Sequence, residues 1–407
     1  GSVFMRGLSD VLDLGMPLTA FYYAIPVAAG AMLTRYILNS ETALILSIVA
    51  SALSGFFLQG DLDLSIYYLF SSIVAAASIA HVDRRSSILR AGLVLGLFNA
   101  VMVLAIKLVS VFSVSESLSI QEISWHCLFG FAGGLLVATT VLVLSPLIEM
   151  IFDYVTDIKL LELGNLNHPL LQEMIVKAPG TYHHSQLVAV LSEAAAAAIG
   201  ANPLLARVGS YFHDVGKMRK PDYFIENQQS GYNRHDDLSP SMSALIIASH
   251  VKDGLEMAKE YKLPQRITDF IPQHQGTKVI GFFYNKAKKI AEEKGEKVDE
   301  KHYRYPGPRP QTREAGIILL ADGVEAAVRS LKEKKPHSIR AKVQQIINSN
   351  FIEEQLDECD LSLRDLHEIS ETFTRVLVGI YHQRIEYPED KDKNSQATVT
   401  PLKTAVV

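Results

Sequence analysis

The chain has 407 residues, a formal net charge of -5, 48% hydrophobic residues and a positive mean hydropathy of +0.15. That length allows two or three domains. The weak negative charge excludes the basic field that long nucleic acid needs, and the apolar excess, crowded before about residue 152, excludes a wholly water-soluble chain.

In chain order, Gly1-Ser2 reads as a cloning remnant and residues 1–15 as a lead-in. Five apolar stretches of about 20 residues each are predicted to span a bilayer. They fall at 16–38, 42–60, 63–82, 88–113 and 125–152. No cleavable signal peptide is predicted, because further spans follow the first apolar stretch. Arg35 lies between the first two spans, Arg84 and Arg85 follow the third, and Arg90 opens the fourth. The loop Gly60-Asp61-Leu62-Asp63 carries acid and no base. The positive-inside rule therefore puts the arginines, and everything after residue 152, on the cytoplasmic side. In a bacterium this is a multi-pass protein of the inner membrane. Pro146 is predicted to kink the fifth span. Ionisable groups within the spans are sparse, which argues against an ion-coupled carrier. Anchoring, signal transfer and homodimer formation are the expected roles of this part, with lipid as its surroundings.

After Asp153 charged residues become frequent and apolar positions take helical spacing. Residues 153–175 are predicted as a connector helix, broken at Gly164 or at Asn167-His168-Pro169. Residues 176–387 follow as a helical domain with almost no strand signal. Asn202-Pro203, Ser239-Pro240 and Pro264 open helices there. Lys278–Asp299 is helical, Tyr305–Pro310 is a loop, 312–332 is a helix, and two more helices follow. The polar tail 388–407 lacks periodicity and is expected to be disordered. The fold class is thus all-α: a polytopic transmembrane bundle followed by a cytoplasmic helical domain. The two cysteines, Cys127 and Cys359, make neither a disulfide framework nor a zinc motif.

The helical domain holds His184, His213-Asp214, His250, His274 and Asp322 on or beside five separate predicted helices. Imidazole nitrogen and carboxylate oxygen are ligands for first-row divalent metals, and facing helices can make them converge. Singly, each has a plainer reading. His213-Asp214 is equally well a core histidine beside a helix-capping aspartate. His250 and His274 sit in apolar runs where lone interior histidines are common. Asp322 ends the run Ile317–Ala321, where a carboxylate needs a cation or several donors. A second His-Asp pair, His235-Asp236, lies in a polar loop and is read as solvated surface or a rim element, not a ligand.

Taken in order, H…HD…H…H…D resembles the HD superfamily of metal-dependent phosphohydrolases. Longer strings sharpen the likeness: Gly180-Thr181-Tyr182-His183-His184-Ser185, His213-Asp214-Val215-Gly216-Lys217, Tyr223-Phe224-Ile225-Glu226-Asn227-Gln228, Leu238-Ser239-Pro240-Ser241, Ile247–Gly254 and Tyr305-Pro306-Gly307-Pro308. Together with the spans they resemble the seven-transmembrane HD-domain family, in its PgpH-type cyclic di-AMP phosphodiesterase branch. Members carry an earlier span, a large extracytoplasmic domain and one more span, so a truncated chain with five of seven spans is expected. Gln275 stands where many members have a second histidine and is left out of the ligand set. The Gly-Tyr-Pro string of cyclic di-GMP hydrolases is absent after His274.

The resemblance implies two divalent ions, manganese or iron before zinc. His184, His213, Asp214 and Asp322 would hold one, and His250 and His274 the other, with Asp214 bridging. It also implies hydrolysis of a cyclic dinucleotide to linear pApA, in which Asp214 and Lys217 are the catalytic residues. His183 is taken as non-ligating. Lys217, one turn after Asp214, could meet a phosphate oxygen, and equally could be a surface lysine. Tyr223, Tyr284 and Arg309 are substrate-contact candidates, with Phe224 beside them. Other readings of the same motif are hydrolysis of cyclic di-GMP or a guanosine polyphosphate, or a non-catalytic nucleotide receptor in the membrane.

Overall fold

A computed structural model describes residues 16–58, 61–79, 84–114, 119–228 and 232–381. The expected lead-in and the tail expected to be disordered lie outside them. The described residues are helical, with no strand beyond an isolated bridge between Val279 and Arg304.

The membrane part opens with a 3-10 turn, Leu18–Ala24, followed by α1 (Ala28–Ile37). The stretch 16–38 is therefore not one continuous helix. Pro26 has no N–H to give and holds Ile25 in extended backbone. At ten residues, α1 alone covers about 15 Å, half of a hydrocarbon core of about 30 Å. Next come α2 (Ser40–Phe57), α3 (Leu62–Ser78), α4 (Arg85–Val114) and α5 (Ile120–Phe152). Of these, α2, α4 and α5 are long and apolar enough to cross a membrane, and α3 is a shorter apolar helix. Helix α5 runs through Pro146 to Phe152 without a break.

Glycines let α4 and α5 touch backbone to backbone. Gly92 and Gly96 on α4 lie against Gly134 on α5, and Gly130, one turn before it, lies against Asn99 and Val103 of α4. A Cβ built on Gly134 would lie 2.2 Å from the Gly96 nitrogen. In lipid, where apolar burial drives no helix association, such close packing is the main source of cohesion.

The connector is two helices, α6 (Asp157–Leu163) and α7 (Pro169–Lys177), interrupted over the stretch where its break was predicted. Helix α6 serves two cores. Its Ile158 packs into the membrane cluster with Met32, Ala75, Leu95 and Val141. Its Leu160 and Leu163 join the core of the helical domain. That domain comprises α8 (Pro179–Ala198), α9 (Pro203–Phe212), α10 (Pro240–Glu260), the short α11 (Gln265–Thr268) and α12 (Phe270–Gln273), α13 (Gly281–Lys294), α14 (Arg313–Arg329), α15 (Pro336–Ile352) and α16 (Leu363–Ile380). Asn202 and Ser239 cap α9 and α10 through their side chains, with proline at the first helical position.

Gly134→Ala should force α4 and α5 apart and cost about 1–3 kcal/mol. Gly379→Ala on α16, where a Cβ meets nothing within 4 Å, should be neutral or gain up to about 1 kcal/mol. Thermal unfolding in detergent compares the two, and equal melting would refute the close-contact account.

Candidate metal centre

Five elements deliver six side chains to one point. His184 comes from the middle of α8, and His213-Asp214 directly follows α9. His250 lies in α10, His274 follows α12, and Asp322 lies in α14. All six are buried, from fully enclosed Asp214, His213 and His274 to Asp322 at 8% exposure. His184, His213, Asp214 and Asp322 offer one set of ligand atoms within 4.8 Å of one another; Asp214, His250 and His274 offer a second. Asp214 belongs to both.

The imidazoles are oriented before any cation arrives. Nδ1 of His213 lies 2.7 Å from the Ser210 carbonyl oxygen, Nδ1 of His250 2.6 Å from that of Ile247, and Nδ1 of His274 2.7 Å from that of Ile271. Each of these three donates to the carbonyl three residues earlier. Nδ1 of His184 donates instead to the Glu325 carboxylate at 2.5 Å. With Nδ1 committed as donor, every Nε2 turns inward. His213 and His184 Nε2 lie 3.2 and 3.6 Å from Asp214 Oδ2, and His274 and His250 Nε2 lie 3.4 and 3.5 Å from Oδ1.

Burial pushes the pKa of His250 down to about 4 and lowers that of His274. Both rings are neutral at neutral pH. Their Nε2 atoms stand 3.3 Å apart, lone pair against lone pair. Two acceptors at that distance repel unless a cation lies near both, and the Nε2 of His213 likewise has no hydrogen-bond partner. His184 differs. Burial opposes its charge, but Asp322 and Glu325 outweigh burial and raise its pKa to about 9. Its Nε2 proton points to Asp322 Oδ1 at 3.0 Å, and a metal ion would replace that proton. Burial alone would raise the Asp214 carboxyl, yet the Lys217 ammonium and the His213 ring hold it well below the usual carboxylate range. Four imidazole nitrogens and two carboxylates thus fit first-row divalent ions.

Lys217 is no surface lysine. Its Nζ lies 2.6 Å from Asp214 Oδ2 and 2.9 Å from Glu226 Oε1. Gly216 makes this possible: a Cβ there would lie 1.9 Å from the His250 carbonyl oxygen. Only glycine lets the turn after Asp214 lie directly on α10.

Other expected positions fall differently. His183 is exposed, away from the ligand set. Gln275 donates its amide to Asp322 Oδ2 at 3.2 Å. His235, expected at a solvated surface or rim, is buried: the loop folds back so that its Nε2 bonds the Tyr223 carbonyl oxygen at 2.9 Å and its ring packs on Phe283. Phe224 is buried between His250 and Lys217, not open for stacking. Tyr223 lies against His235 and Arg234, Tyr284 against Tyr303 and Lys288, and Arg309 faces Glu354 at 3.6 Å. Sequence reasoning missed Glu325 and Glu226. Glu325 lies three residues after Asp322, on the same face of α14, so helical spacing was a usable signal. Glu226 had none beyond its place in a quoted string.

A family profile described as "7TM receptor with intracellular HD hydrolase" matches residues 2–156, and one described as "HD domain" matches residues 181–327. The chain is 44% identical over 377 residues to the cyclic-di-AMP phosphodiesterase PgpH of Bacillus subtilis, covering 91% of this chain and 52% of that protein. It is 41% identical over 372 residues to the protein of the same name from Listeria monocytogenes, covering 91% and 51%. It therefore spans about half the length of the curated relatives it matches. Among solved structures, the L. monocytogenes PgpH HD domain in complex with cyclic-di-AMP is 49% identical, with a TM-score of 0.51, over 54% of this chain and 100% of that one.

Removing the Glu325 carboxylate (Glu325→Ala) should free the His184 ring and weaken metal binding by about 10–100-fold. Metal titration of the purified chain measures this, and an unchanged affinity would show that Glu325 does not orient His184.

Proposed function

The chain belongs to the seven-transmembrane receptors with an intracellular HD hydrolase, and on that premise we propose that it is a membrane-anchored phosphodiesterase opening cyclic di-AMP to linear pApA. The observation that carries the reading is Asp214, a buried carboxylate facing two imidazole sets through its two oxygens.

His184, His213, Asp214 and Asp322 would hold one divalent ion, and Asp214, His250 and His274 a second, with manganese or iron favoured by mixed nitrogen and oxygen donors. When bound, such ions supply Lewis acidity toward a phosphate and lower the pKa of a water. The chain's own groups do the rest. Three backbone carbonyls and Glu325 hold the rings so that Nε2 faces inward. Burial keeps His250 and His274 neutral, as ligands must be. Lys217, charged between Asp214 and Glu226, presents an ammonium to a phosphate oxygen at the edge of the site. Tyr223, Tyr284 and Arg309, each partly exposed, are proposed as contacts for the nucleotide's outer parts. The arginines at the ends of the apolar helices support a cytoplasmic helical domain, and pairing of two chains through the spans belongs to the same reading.

The test incubates the purified chain and manganese with cyclic di-AMP and, in parallel, cyclic di-GMP, with and without chelator. The expected result is pApA from the first, slower turnover of the second, and none with chelator. Asp214→Ala should lose hydrolysis and bound metal together, whereas Lys217→Met should keep its metal and lose kcat/KM. Cleavage by Asp214→Ala at the parent rate would overturn the bridging role, and preferential cleavage of cyclic di-GMP would overturn the substrate.

A further inference from the structure

Two arginines without an ion-pair partner among the described residues meet where the apolar helices join the helical domain. Arg35, half-buried, lies in the last turn of α1, and Arg266, exposed, lies in α11. Both line a cavity of about 280 Å³, with Tyr154, Asp157 and Asn202 also in its wall. Among the described residues of its wall Asp157 is the one acid against these two arginines. Asn202 is the N-cap of α9, its side chain accepting from the Leu205 N–H and its own N–H donating to the Glu314 carboxylate at 2.7 Å.

Arg35 also closes one end of a second hollow, a trough of about 390 Å³ between α2 and α3. Small side chains, Ser47, Ala76 and Ala77, line it together with Leu44 and Ile73. Leu44 and Ile73 are 48% and 36% exposed, so the trough opens outward, on the side that faces lipid if these helices span. An apolar trough with Arg35 in its wall, beside a cavity that Arg35 and Arg266 line together, suits a phospholipid: a chain along the helices and an anion at the junction.

We propose that this junction binds one anionic phospholipid, its acyl chain between α2 and α3 and its headgroup phosphate between Arg35 and Arg266. The inference rests on the apolar helices lying in a membrane and not on the hydrolase reading. Its position gives it consequence. Asn202 begins α9, which ends at His213 and Asp214, and Arg266 begins the α11–α12 segment, which ends at His274. A headgroup held there ties the membrane part to both segments that carry these ligands.

The experiment reconstitutes the full chain in nanodiscs of phosphatidylcholine mixed with phosphatidylglycerol and counts the lipids retained by native mass spectrometry. The parent chain should keep phosphatidylglycerol in preference. The double variant Arg35→Ala/Arg266→Ala should lose that preference several-fold, while Arg35→Lys/Arg266→Lys keeps it and shows that the fold tolerates change at both positions. Ala77→Trp, which fills the trough and leaves both arginines in place, should lower retention as well. Equal retention of the two lipids by the parent, or parent-like preference in the double alanine variant, overturns the proposal. Displacement of the lipid by glycerol phosphate alone would overturn the acyl-chain half. Because no substrate is added, these results stand apart from any failure to hydrolyse cyclic di-AMP.

Discussion

A fully buried carboxylate, Asp214, with imidazole nitrogens near both of its oxygens, is the constraint around which the helical domain is arranged. Burying such a group is costly unless its charge is matched. Lys217 supplies one charge at 2.6 Å, but it reaches only Oδ2. Oδ1 faces His250 and His274, which are neutral and whose Nδ1 protons are already given to carbonyls. An acceptor surrounded by acceptors calls for a cation on that side too.

Packing turns that requirement into geometry. Helix α9 is buried on nearly all sides, and its Gly209 lies against the ring of Phe270 at the start of α12. Gly216 then seats the turn after Asp214 on the α10 backbone at His250. Two glycine contacts thus fix the spacing between three ligand-bearing segments, and one continuous core runs beneath them through Val208, Phe212, Ile271 and Leu320. In close-packed interiors a change of one methyl group is felt by its neighbours. The positions of the six clustered side chains therefore depend on residues outside the cluster.

Much of this was legible in the sequence because the signals were local. Proline after a capping residue marked the starts of α9 and α10, and the apolar stretches marked the long helices. The six converging side chains stood out as rare polar residues in or beside apolar runs, and their order resembled the HD motif. What escaped depended on contacts distant in sequence. His235 looked like loop surface, yet the loop folds onto Phe283. Lys217 could be read either way until Glu226 came to its other side. Phe224 was one candidate for a substrate contact and is enclosed by His250 and Lys217. The stretch 16–38 is not one continuous helix for a local reason that hydropathy ignores: Pro26 interrupts it.

The same packing bears on how the membrane part can influence the site. Helix α6 places Ile158 in one core and Leu160 and Leu163 in the other within two turns, so it cannot shift in one without disturbing the second. Gly164 at its end lies against Val208 of α9. Two polar links run alongside: Arg85 pairs with Glu162 at 3.0 Å, and the Asp153 carboxylate accepts from the Gln265 backbone N–H at 3.0 Å. The exposed ion pair contributes little by itself. The buried leucines contribute more, about 1.5–3 kcal/mol each from apolar burial. Movement of the long helices would therefore reach α9 chiefly through the packing of α6, and α9 leads directly into His213 and into Asp214, the residue that the two groups share.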